Sequence, residues 1–138
     1  MLCFAPVVLL GSLLTIHPNS FHTSSFDGGV VEVQSCEEGL GVNLKAANSG
    51  IYSGTVQYGM FHRAGDWSLG LTPNLGVGVI EHHVPELSTR VNFSLGLQAS
   101  VGYQRGRVAV EYWHQSNAHT GTHNAGLDLL AIMGGWVF

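Results

Sequence analysis

Two long runs of strict alternation in the middle of the chain limit what it can fold into. From Asp66 to Val79 the odd positions are Trp67, Leu69, Leu71, Pro73, Leu75, Val77 and Val79. The even positions are Asp66, Ser68, Gly70, Thr72, Asn74, Gly76 and Gly78. From Val91 to Gln104 the pattern returns, with Val91, Phe93, Leu95, Leu97, Ala99, Val101 and Tyr103 against Asn92, Ser94, Gly96, Gln98, Ser100, Gly102 and Gln104. Successive residues of a strand point to opposite faces, so each run has one apolar face and one small or polar face. Strands of soluble domains average ~5–6 residues. These runs are longer, and they match the ~9–11 residues a strand needs to cross a bilayer, with extension beyond it. Trp67 and Tyr103 put aromatic rings near the ends of the apolar rows, where a membrane interface would lie. Pro73 has no N–H to give to a ladder, so it marks either a bulge or a turn that splits its run.

Composition agrees with a lipid-facing wall. Charged residues make up 10% of the 138 residues, well below the ~25% usual for a soluble domain. Lys45, Arg63, Arg90, Arg105 and Arg107 are scattered, and the formal charge is −4. A nucleic-acid footprint needs clustered basic residues, so that class of partner is excluded. The expected fold class is all-β: a single antiparallel transmembrane β-barrel of about eight strands. The competing architecture is a soluble lipocalin-like barrel, with its apolar rows inside and charge outside. The direction in which the Trp67–Val79 row points separates the two.

Met1 to Ile16 is apolar but shorter than the ~20 residues of a spanning helix. It reads as a signal-like segment over 1–20, with the outer-membrane barrel domain over 21–138. No Lys or Arg precedes the apolar run, and no clean small-x-small cleavage site follows it. The alternative is a strand of the mature protein. Loss of Cys3 with a signal would leave Cys36 without a partner, so no disulfide framework is expected. His17 to Asp27 reads as a linker or arm. Short strands follow at Val30–Gln34, Gly39–Ala46 and Ile51–Met60, giving about seven strands after residue 20.

The chemistry lies in the last quarter. Arg105-Gly106 reads as a tight turn. The run that follows has Val108, Val110, Tyr112, His114 and Ser116 on one face, and Arg107, Ala109, Glu111, Trp113 and Gln115 on the other. In the final strand Asp128, Leu130, Ile132, Gly134, Trp136 and Phe138 share a face. A hairpin with its midpoint near Gly121 sets Ser116 opposite Gly126 and His114 opposite Asp128. Directly opposed residues have Cβ atoms roughly 4.5–5.5 Å apart. Strand geometry alone then gathers a hydroxyl, a base and a carboxylate, the set that activates a weak serine nucleophile. A slip of one residue would break it. Glu111 falls on the opposite face and is assigned with Arg107 to a polar network in the lumen.

His114-Gln115-Ser116-Asn117-Ala118, followed by Asn124-Ala125-Gly126-Leu127-Asp128 and a last strand ending in Phe138, resembles the lipid A 3-O-deacylase (PagL) family. The specific resemblance covers about Glu111 to Phe138. It implies an eight-stranded outer-membrane barrel that hydrolyses the ester-linked acyl chain at the 3 position of lipid A. It places the base on His114, the nucleophile on Ser116 and the acid on Asp128. Asn117, its neighbouring backbone amide and Asn124 would form the oxyanion hole or position substrate. The family pattern has Glu where this chain has Asp128, one methylene shorter. The resemblance implies lipid A or lipopolysaccharide as the partner, the outer membrane of a Gram-negative bacterium as the location, and no cofactor; a homodimer is compatible with it.

Two other readings have their own signatures. His82-His83 and the pair His119 and His123 invite a metal site, but without a Cys or carboxylate cluster beside them they read as solvated loop residues. A non-enzymatic structural or adhesion barrel is the alternative function.

Overall fold

The computed structural model describes residues 5–17, 20–21, 28–82, 87–122 and 126–138. Nine strands run through them: β1 (Val7–His17), β2 (Ser20–Phe21), β3 (Gly28–Gln34), β4 (Gly39–Ala47), β5 (Ile51–Ala64), β6 (Trp67–Ile80), β7 (Val91–Tyr103), β8 (Gly106–Ser116) and β9 (Leu127–Val137). Each long strand pairs antiparallel with the next, and β1 returns to pair with β9. The eight long strands therefore form a closed barrel; β2 is a two-residue ladder on the end of β1. Closure leaves no unpaired edge, the condition for a sheet to sit in hydrocarbon.

The apolar rows point outwards. Trp67, Leu69, Phe93, Leu95 and Val110 are all exposed, while Asn92, Ser94 and Gln98 are buried inside. So many exposed Leu, Val and Phe side chains on one continuous wall would aggregate in water, whereas in lipid they meet their own kind. This is a transmembrane barrel, and the soluble lipocalin-like architecture falls.

The lumen is packed by polar side chains together with an apolar cluster that includes Leu9, Leu13, Leu127, Leu129 and Met133. Glu32 Oε1 accepts bonds from Gln34 Nε2 at 2.6 Å, Asn43 Nδ2 at 2.6 Å and Gln98 Nε2 at 3.0 Å. Glu111 is paired with Lys45 and takes a further bond from Asn74 Nδ2 at 2.9 Å. Trp113, fully buried, donates to Ser94 Oγ at 3.0 Å, and Lys45 Nζ lies 5.1 Å from its ring centre. Arg107 pairs with Glu37 near one mouth. Buried charge is tolerable only when paired and hydrogen-bonded, and Glu111 and Arg107 meet that condition in the expected lumen network.

Two sequence readings are corrected, and the segment read as signal-like takes a place in the sheet. The stretch read as signal-like contains β1, which pairs with β3 through Val7↔Gln34 to Leu13↔Gly28, and with β9 through Val7↔Val137 to Ile16↔Asp128. Val7, Leu9 and Leu13 are buried inside while Leu10 points outwards, so apolar residues on both faces hide the alternation. Pro73 neither bulges nor splits its run. The β5–β6 ladder keeps one register on both sides of it, from Gln57↔Asn74 to Met60↔Leu71. The tight turn is Gln104-Arg105, closed by the Tyr103↔Gly106 pair, with Gln104 at a φ of 50°.

The two ends differ. The start of β1 and the end of β9 lie with the short β5–β6 and β7–β8 turns at Gly65-Asp66 and Gln104-Arg105. The longer β6–β7 and β8–β9 connections lie at the other end, which is the end where His114 and Asp128 sit.

Candidate active site on the outer wall

His114 and Asp128 are direct cross-strand partners, and the ladder continues to Gln115↔Leu127. The midpoint near Gly121 is therefore the one the structure has. Asp128 Oδ1 lies 2.6 Å from His114 Nδ1. Their side chains are 29% and 37% exposed for the histidine and the aspartate, so the couple sits in the wall, neither sunk in the lumen nor standing clear of it. A carboxylate on Nδ1 leaves Nε2 as the imidazole's basic nitrogen, which is the tautomer a general base requires.

Ser116 is two residues further along β8 on the same face and lies opposite Phe93 on β7. Among the described residues no hydrogen bond joins its hydroxyl to His114. Catalytic contacts in unliganded enzymes are often long and tighten when substrate arrives. Directly beside it, Val77, Val91 and Phe93 line a hollow of about 320 Å3 whose rim carries Asn117 and Thr120. The apolar lining of the hollow includes Phe93, the cross-strand partner of Ser116.

Asn117 takes a different position from its neighbour. Its side chain is buried, its Nδ2 donates to Ser88 Oγ at 3.3 Å and its Oδ1 accepts from the His119 backbone N–H at 3.0 Å. The chain then turns through Ala118 and His119, both left-handed with φ of 49° and 63°. Two consecutive non-glycine residues in that region are strained, and such strain gathers at functional sites. Asn124 lies outside the described residues, as do His83 and His123. His82 and His119 are exposed, and no cluster of metal-ligating side chains occurs among the described residues.

Two residues at the site were missed in the sequence. The Tyr112 hydroxyl donates to Asp128 Oδ1, and its ring stacks on the imidazole with centroids 6.4 Å apart and planes 17° apart. Gly126, at a φ of 79°, lies under the imidazole: a Cβ there would come 2.8 Å from His114 Cε1. Tyr112 was readable in principle, since it precedes His114 by two on one face and reaches Asp128 along the diagonal. The packing of Gly126 against the ring had no signal beyond the glycine itself.

A closed barrel with an apolar outer wall is a membrane protein, and the carboxylate, imidazole and hydroxyl in a row near one rim form a candidate site on its outer face. The model of the lipid A 3-O-deacylase (PagL) family matches residues 22–137, and the chain belongs to that family. Among solved structures, the attachment invasion locus protein Ail of Yersinia pestis is similar at 11% identity and a TM-score of 0.41, over 99% of this chain and 100% of that one. A comparison with curated proteins finds no match.

Proposed function

We propose that this protein is a serine esterase of the outer membrane that removes an ester-linked acyl chain from lipid A. The observation that carries the reading is the His114–Asp128 couple on the outer wall, in register with Ser116. Polar side chains facing lipid at the midplane are disfavoured by roughly 2–4 kcal/mol for a basic residue, falling to about 0–1 near the interfaces. A row of three near one rim is consistent with a site that works at an interface.

The step runs in the order the geometry allows. Ser116 Oγ attacks the ester carbonyl and His114 Nε2 takes its proton, while Asp128 holds the ring and stabilises the imidazolium. As the ester C–O bond breaks, the imidazolium gives its proton to the departing sugar oxygen, which leaves as a free hydroxyl. Water, deprotonated by the same nitrogen, then releases the fatty acid and restores Ser116. The oxyanion is met by the backbone amide following Ser116 and by Asn117 Nδ2 once it leaves Ser88. One such donor is worth about 10²–10³ in rate. The apolar hollow by Phe93 takes the acyl chain, and the substrate reaches the site by lateral diffusion in the leaflet. The reading uses no metal or cofactor.

The test is lipid A mass spectrometry with and without the expressed protein. Loss of one hydroxyacyl mass is expected with the wild type, and none with Ser116→Ala or His114→Ala folded to the same heat-modifiable form. Full hydrolysis by Ser116→Ala would end the nucleophile assignment. Unchanged lipid A with the wild type would favour the non-enzymatic barrel.

A further inference from the structure

Asp128 is a short carboxylate on an exposed wall, and something besides His114 has to fix its oxygen. Its other strand neighbour, Ile16 on β1, is apolar. So is Leu95, which flanks His114 on β7. Among the described residues its polar partners are His114 Nδ1 and the Tyr112 hydroxyl, and both address the same oxygen, Oδ1. An aspartate turning about its two side-chain bonds could keep the histidine contact through either oxygen. A second donor on Oδ1 removes that freedom.

The same tyrosine acts on the ring. Its ring runs nearly parallel to the imidazole, with centroids 6.4 Å apart, and neighbours it along the strand face, while the missing Cβ of Gly126 leaves room for the imidazole. The ring is therefore held by the bond at Nδ1 to an oxygen that Tyr112 also binds, and by the close packing of Gly126. In lipid-facing surroundings, where water competes weakly, a hydrogen bond to a charged acceptor is stronger than in the open.

We propose that Tyr112 is a positioning residue of the reaction: it pins Asp128 Oδ1 and the His114 plane, so that Nε2 is aimed at Ser116. The inference rests on the deacylase reading for its kinetic effect and stands on geometry for its structural one. Tyr112 touches no reacting atom, so its removal acts on kcat through Asp128 and leaves the binding of lipid A alone.

The experiment combines kinetics and spectroscopy on the refolded full chain. Hydrolysis of purified lipid A in mixed micelles is measured for the wild type, Tyr112→Phe, Asp128→Asn and the double variant. Tyr112→Phe is expected to lower kcat about tenfold with KM within about twofold. The double variant should be no slower than Asp128→Asn alone, because residues acting through one group are not additive. Nitrogen-15 resonances of His114 supply a readout independent of turnover: one tautomer, protonated at Nδ1, in the wild type, and a mixture of tautomers in Tyr112→Phe. Wild-type kcat in Tyr112→Phe, or a loss that multiplies with Asp128→Asn, overturns the proposal. If the wild type proves inactive the function reading fails by itself. The tautomer comparison then decides Tyr112, a mixture in Tyr112→Phe upholding it and an unchanged spectrum refuting it.

Discussion

Gly126→Ala separates the needs of the barrel from the needs of the site. The new Cβ would start 2.8 Å from His114 Cε1, and ordinary contact begins at 3.4 Å, so the ring has to move by at least about 0.6 Å. The atom in the way belongs to a side chain, so the move is cheap for folding. It is expensive for geometry: the ring is tied to Asp128 at 2.6 Å, and a misplacement of ~1 Å in a catalytic group is worth up to ~10²-fold in rate. A loss of kcat between roughly tenfold and a hundredfold is expected, with KM little changed. Alanine at a φ of 79° adds strain of about 1–2 kcal/mol. Gly65→Ala is the control, because Gly65 has a φ of 60° and open space around its missing Cβ. Unfolding in urea should show the two variants destabilised alike, and initial rates of acyl release should show only Gly126→Ala slowed. Wild-type kcat in a folded Gly126→Ala protein would refute the claim that the glycine makes room for the imidazole.

Further outcomes follow from the same geometry. Asp128→Asn should cut kcat by up to ~10⁴ by favouring the wrong imidazole tautomer, whereas Asp128→Glu should keep or raise it, measured on the same substrate; a dead Asp128→Glu would mean the wall around Tyr112 has been fitted to the shorter acid. Lys45→Met strips the cation from a fully buried pair with Glu111 and should destabilise the barrel by about 3–5 kcal/mol, read from the urea midpoint. His119, exposed on the long β8–β9 connection, should be labelled from outside intact cells, since outer-membrane barrels put their longer loops outwards; protection would reverse the orientation.

The sequence by itself determined the wall. Alternation from Asp66 to Val79 and from Val91 to Gln104 dictates which side chains share a face, because a strand's side-chain period is two whatever it packs against. The low charge favours lipid for the apolar row, and the exposure of Trp67, Leu69, Phe93 and Leu95 on the closed barrel decides it. The sequence also put His114 and Asp128 on the apolar rows of two consecutive strands, but their direct pairing followed only from a hairpin midpoint set at Gly121, and the β8–β9 ladder is what fixes that register. The tertiary structure alone decided what depends on distant strands. β1 shows no alternation because both its faces are apolar, and only the β3 and β9 ladders on its two sides give it a place in the sheet. The partners of Glu32 and Glu111 come from β3, β4, β6 and β7 across the lumen, and no local pattern announces them. The inward turn of Asn117 depends on Ser88 in another loop, and the packing of Gly126 beneath His114 depends on a ring angle. Strand period is local and written in the chain; which side chains fill a closed space is settled only when the barrel closes.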